Sequence, residues 1–125
     1  MRFIPTIAHG LADYLVGLIV IAMPIYFAWT GSARIFFMTL GAVVICYSML
    51  TDYELGLVKI LRIRFHLLLD ALFGIAMLAA PTLLNLPIDS RAIVYVIGAL
   101  SILLSFTTKI RAHGTGSQAA VEEKK

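Results

Sequence analysis

A chain of 125 residues is one domain by length, and 61% of it is apolar while 14% is charged, where soluble domains stand near half apolar and about a quarter charged. So short a chain has too little interior to hide that much apolar side chain, which excludes an ordinary soluble globule and makes lipid the solvent for most of it. The net charge of +3 sits in a few blocks that leave long uncharged stretches between them.

Those stretches are Tyr14 to Ala33, Ile35 to Thr51, Ala71 to Ile88 and Ala92 to Thr108, of 20, 17, 18 and 17 residues. At about 1.5 Å of rise per residue each covers roughly 25–30 Å, which suits a hydrocarbon core of about 30 Å. Met1-Arg2 before the first span is reminiscent of a secretory signal, but His9 and Asp13 interrupt its apolar run and the same pattern recurs at residues 66–81. In the second span lies Cys46, the single cysteine; it forms no disulfide framework and reads as a small apolar packing residue. The linker that follows has Tyr53, Leu57, Ile60 and Leu61 on one helical face, which predicts a short amphipathic helix along the membrane interface. After the fourth span, Gly, Ser and mixed charge over 113–125 predict a disordered tail.

Shifted by 57 residues, the sequence lands on itself without a gap: 13 of the 43 positions from His9 to Thr51 are identical to those from His66 to Thr108. The matches include His9 with His66, Asp13 with Asp70, Gly17 with Gly74, Pro24 with Pro81, Arg34 with Arg91, Gly41 with Gly98, Ser48 with Ser105 and Thr51 with Thr108. Apolar low complexity aligns Leu and Ala by chance but does not align such varied polar residues. Each unit holds two spans, so both copies enter the membrane from one side, related by a pseudo-two-fold axis along its normal. The fold expected is an all-α membrane protein, its four transmembrane helices arranged as two parallel-repeat hairpins. Residues 1–112 form the membrane domain, with repeat one at about 9–51, a linker at 52–65 and repeat two at about 66–108.

Eight Lys and Arg (Arg2, Lys59, Arg62, Arg64, Lys109, Arg111, Lys124, Lys125) fall on the side of the termini and linker, against Arg34 and Arg91 on the other. The positive-inside rule then predicts cytoplasmic termini, with outer turns at 30–33 and 87–90.

Within each repeat His, Asp, Gly and Pro are separated by 4, 4 and 7 residues, which keeps them on one helical stripe. Small residues let membrane helices approach and polar ones need partners away from lipid, so these stripes should line the interior. Gly17, Gly41, Gly74 and Gly98 are expected at helix contacts, with the first and third helices meeting along Gly17 and Gly74. Pro24 and Pro81 are read as kinks or as helix ends near the outer surface, each freeing the carbonyl four residues earlier, at Val20 and Met77. Folding each hairpin about its turn places His9, Asp13, Ser48 and Thr51 in one polar cluster, and His66, Asp70, Ser105 and Thr108 in a second.

The His-x-x-x-Asp pattern, followed by Gly and Pro within one span and repeated as a two-helix unit, resembles the SPW repeat family of small bacterial and archaeal membrane proteins. The linker Thr51-Asp52-Tyr53-Glu54-Leu55-Gly56 and the following Arg64-Phe65-His66 also resemble that family's joining segment, so that the likeness covers about residues 5–110. The family's Ser-Pro-Trp stands here as Met23-Pro24-Ile25 and Ala80-Pro81-Thr82, keeping only the proline. The resemblance implies a four-helix membrane protein of the bacterial inner membrane and carries no activity across.

The function expected is structural or accessory, with the His–Asp pairs and hydroxyls clamping helices. The alternative is a proton or small-ion carrier or channel in which Asp13 and Asp70 titrate. Zinc shared by His9, Asp13, His66 and Asp70 is chemically allowed, but spacing alone does not establish it, so no metal and no cofactor are expected. A Ser48-His9-Asp13 hydrolase lacks a nucleophile turn and an oxyanion donor, so no catalytic residue is expected. The expected partner is the bilayer, with a second copy or another membrane protein as candidates and no nucleic acid.

Overall fold

The computed structural model describes residues 2–110. Among them are four helices, α1 (Thr6–Tyr26), α2 (Gly31–Met49), α3 (Ile63–Leu83) and α4 (Ile88–Thr107), each long and apolar enough to cross a membrane. α1 pairs with α2 and α3 with α4 as two hairpins, and α2 lies beside α3 where the hairpins meet. Large apolar residues point outward on every helix, among them Leu15, Ile35, Leu72 and Leu103, an outer surface that suits lipid and would not suit water. The tail at 113–125 lies outside the described residues.

The main apolar core is drawn from all four helices, including Val20 and Met23 of α1, Phe37 and Val44 of α2, Phe73 and Met77 of α3, and Val94 of α4, and a smaller cluster joins Tyr53, Ile63 and Leu67. Within each hairpin the backbones touch at glycine. A Cβ built on Gly17 would stand 2.5 Å from Ile45 Cγ1 and 3.1 Å from the Gly41 carbonyl, and one on Gly74 would stand 2.6 Å from Ile102 Cγ1 and 2.7 Å from the Gly98 carbonyl. The seams therefore run α1 to α2 and α3 to α4. This corrects the expectation that Gly17 meets Gly74: equivalent residues of a repeat lie on equivalent faces, and each glycine face is filled by the next helix of its own hairpin.

The helix boundaries also differ from the uncharged stretches. α1 begins eight residues before Tyr14, and the turns fall at 27–30 and 84–87 rather than at 30–33 and 87–90. Charge is a poor boundary marker here because His9 and Asp13 are buried inside the helix. Each turn is closed by a Schellman cap: Trp29 N–H donates to the Pro24 carbonyl and Ala28 N–H to that of Ile25, as Leu86 N–H does to Pro81 and Asn85 N–H to Thr82. Both prolines thus stand in the last turn, where they shape the helix end rather than bend its middle. Ala28 and Asn85 supply the left-handed residue of each cap, at φ 56° and 52°. Asparagine tolerates that conformation and alanine does not. Ala28→Gly is expected to raise the free energy of unfolding by about 0.5–1 kcal/mol, relief of a left-handed cost of roughly 1–2 kcal/mol less the roughly 0.5–1 kcal/mol that glycine's chain entropy takes back, read as a higher thermal midpoint in detergent.

The 52–62 linker is not helical. Leu57 and Val58 N–H donate to the Met49 carbonyl, and Ile60 and Leu61 N–H to that of Leu50, so the linker folds back to satisfy the open carbonyls at the end of α2. A short helix would leave those carbonyls unpaired, which overrides a weak amphipathic pattern. Cys46 is exposed on the outer face of α2 and does not lie in the packed interior.

Candidate functional site

The chain entry into each hairpin pairs with the exit from the other. Ile4 bridges Thr108 and Leu61 bridges Thr51; these are the same pairing, since 4 and 61, and 51 and 108, are 57 apart. The backbone bonds repeat as well. Ile4 N–H donates to the Thr107 carbonyl as Leu61 N–H does to Leu50, and Lys109 N–H donates to the Ile4 carbonyl as Asp52 N–H does to Leu61. Crossed pairing of this kind is what a two-fold axis between hairpins produces.

Just inside this end lies a buried ring of four side chains, His9 and Asp13 from α1 and His66 and Asp70 from α3. His9 Nε2 lies 2.5 Å from Asp70 Oδ2 and His66 Nε2 lies 2.6 Å from Asp13 Oδ2. The contacts within each helix are longer, 3.2 Å from His9 to Asp13 and 3.1 Å from His66 to Asp70. The sequence expectation of two clusters, one per hairpin, is corrected: there is one cluster, and its short bonds cross between hairpins. Spacing of i, i+4 places His and Asp on one face, but that face looks at the other repeat.

The outer nitrogen of each ring is also held from across. His66 Nδ1 is 2.6 Å from Thr51 Oγ1, and His9 Nδ1 is 2.5 Å from Thr108 Oγ1. Each hydroxyl donates its one hydrogen to the carbonyl four residues back, Thr51 to Tyr47 and Thr108 to Leu104, both at 2.6 Å. A hydroxyl so engaged can only accept, so both Nδ1 atoms carry hydrogen and both Nε2 atoms face carboxylate. Two imidazoles and two carboxylates thus satisfy one another in a buried site, where an unpaired polar group would be costly.

Of the eight residues proposed from sequence, the two histidines, two aspartates and two threonines share this network. Ser48 and Ser105 are buried but do not join it. Ser105 Oγ donates to the Ser101 carbonyl, and Ser48 Oγ has no hydrogen-bond partner among the described residues. Two tyrosines were not foreseen. The Tyr47 hydroxyl donates to Asp70 Oδ1, a bond that Asp13 lacks because the equivalent position is Leu104. Tyr53 of the linker is fully buried beside His66, with ring centroids 5.4 Å apart, and covers the ring from the terminal end. Gly10 makes room for it, since a Cβ there would stand 2.5 Å from Tyr53 Cε2. Burial pushes the Tyr53 hydroxyl above its ordinary pKa. The linker is tied down on α1 by Thr6 Oγ1 donating to Glu54 Oε2 at 2.6 Å and by the Tyr14 hydroxyl donating to the Leu55 carbonyl at 2.8 Å.

On the other side of the ring, the path toward the turns is closed by the apolar core. Trp29 and its repeat equivalent Leu86 are buried at the far end, Trp29 stacked on Phe27 with centroids 5.3 Å apart. The arrangement can therefore hold hydrogens or one small cation in a fixed, enclosed place. Comparison with known protein families, curated proteins and solved structures returned no match to this chain.

Proposed function

We propose that this chain is a structural or accessory protein of the cell membrane, not an enzyme, in which the His–Asp ring is the clasp that seats one hairpin on the other. One observation carries the reading: both short Nε2···Oδ2 bonds and both Nδ1···Oγ1 bonds join residues of different hairpins. Proton or small-ion carriage, the alternative, is disfavoured by the unbroken apolar packing from Val20 and Met77 to Trp29 and Leu86. Affiliation to the SPW repeat family remains part of this proposal, supported by the His-x-x-x-Asp repeat.

The test uses Asp13→Asn and Asp70→Asn, with melting temperature and proton or cation flux in proteoliposomes measured on one preparation. A clasp predicts lower melting temperatures, because an amide makes weaker hydrogen bonds than a carboxylate, and no flux in the parent. Flux in the parent that is lost in Asn variants of unchanged stability would establish the carrier instead.

Cytoplasmic termini belong to the same proposal, supported by the eight-to-two distribution of Lys and Arg. Reporter fusions at Lys59 should read cytoplasmic and at Asn85 external; the reverse pattern inverts the orientation.

A further inference from the structure

We propose that the His–Asp ring is a divalent transition-metal site, with zinc the ion that its donors fit. The proposal builds on the clasp reading, since the ion would join the same two hairpins through the same four atoms. His9 Nε2, His66 Nε2, Asp13 Oδ2 and Asp70 Oδ2 all lie within 4.8 Å of one another. Two imidazole nitrogens and two carboxylate oxygens make a closed tetrahedral set for zinc, with bonds of about 2.0–2.2 Å and hence about 3.3 Å between ligand atoms. The two longer edges of the ring, 3.2 and 3.1 Å, already have that length. The two short ones, at 2.5 and 2.6 Å, have to open by less than about 1 Å, and the two diagonals, which lie within 4.8 Å, have to close by up to about 1.5 Å. Two carboxylates match the charge of a dication and keep the site neutral in the membrane, while two imidazoles select against magnesium and calcium, which take oxygen ligands.

A second, independent feature is the shell around the four atoms. Metal-bound histidines almost always donate their other ring N–H to a fixed acceptor, and ligating carboxylates are themselves hydrogen-bonded. Here both Nδ1–H groups meet a threonine oxygen whose own hydrogen is spent on the backbone. That leaves each Nε2 aimed at the ring centre in a set orientation. Tyr47 holds the outer oxygen of Asp70, which leaves the inner one free for an ion. Burial of all four residues leaves no position for water or substrate, so this is a structural site and not a catalytic one.

The test uses the full chain in detergent, stripped with a chelator, incubated with excess zinc and separated from free metal by gel filtration. One zinc per chain is expected by elemental analysis, with X-ray absorption showing four nitrogen or oxygen ligands, imidazole among them and no sulfur. The double variant His9→Ala with His66→Ala should lose this zinc. Thr51→Val and Thr108→Val keep side-chain shape and all four ligands, and each should weaken zinc binding by about 10–100-fold. A parent chain that binds no zinc overturns the proposal, as does zinc retained in the double histidine variant, which would point to His113. Zinc affinity unchanged in both threonine variants likewise contradicts the site as described. The clasp is read separately, from the thermal midpoint of the stripped chain. If Asp70→Ala lowers that midpoint and no zinc binds, the clasp stands and the metal site falls. If the stripped chain is indifferent to Asp70→Ala and zinc binds, the clasp falls and the metal site stands.

Discussion

Asp70→Ala is expected to lower the free energy of unfolding in detergent by about 3–5 kcal/mol, the cost of breaking a buried charged pair by removing one partner. The carboxylate is the short partner of His9 and the acceptor of the Tyr47 hydroxyl, so its removal leaves that hydroxyl without an acceptor and His9 without its short bond, while His66 keeps Asp13. Asp13→Ala should cost less, because Asp13 has no tyrosine donor and its side chain is more exposed, 10% against 4% for Asp70. Tyr47→Phe isolates the difference. Removing a donor to an ionised group costs about 1.5–3 kcal/mol, and this variant should close much of the gap between the two aspartates. Chemical unfolding of the four proteins under one condition checks the order: parent most stable, then Tyr47→Phe, Asp13→Ala and Asp70→Ala. If Asp13→Ala were the most damaging, the asymmetry assigned to Tyr47 would be wrong.

A second large effect is expected at the hairpin seam. Gly74 can accept no side chain without movement of backbone, because the Gly98 carbonyl already stands 2.7 Å from where a Cβ would be. Overpacking a tight core costs about 1–3 kcal/mol and occasionally more. Gly74→Leu meets backbone rather than a movable side chain and should exceed that range. Its consequence reaches beyond α3 and α4. Pushing them apart shifts Thr108 relative to His9 and withdraws one arm of the ring. Ala79→Leu adds a comparable side chain at an exposed position of the same helix and should be near neutral. Gel filtration and thermal midpoints of the pair give the comparison; equal behaviour would mean that the Gly74 face is not packed.

The two variants probe features that the sequence displayed unequally. His9, Asp13, Gly17 and their equivalents at His66, Asp70 and Gly74 were legible as interior positions because repetition marks them, and the hairpin architecture follows from counting two spans per unit. What repetition leaves open is which copy pairs with which. An alignment states that His9 and His66 are equivalent, and equivalent residues can pair within each hairpin or swap partners across the axis with the same sequence. The swap is settled by the facing of α1 and α3, a tertiary matter. Tyr47 was missed because it is not repeated: Leu104 stands in its place, so a search guided by the repeat passes over the one donor that makes the site asymmetric. The linker was misread for a different reason. Its few apolar residues at helical spacing carry little energy beside the carbonyls of Met49 and Leu50, which have no helical partner and draw the chain back over them.

If the ring couples the hairpins through crossed His–Asp pairs, His9 and Asp70 must be energetically coupled, and a double-mutant cycle between them measures that coupling. His9→Ala, Asp70→Ala and the double variant are unfolded alongside the parent in metal-free detergent solution, and the coupling is the departure from additivity. Direct partners at 2.5 Å predict a coupling toward the upper end of the usual range of about 0.5–3 kcal/mol. The parallel cycle between His9 and Asp13, which lie 3.2 Å apart within α1, should give a smaller value. Additive effects for His9 and Asp70, together with strong coupling of His9 to Asp13, would contradict the crossed clasp and return each His–Asp pair to its own hairpin.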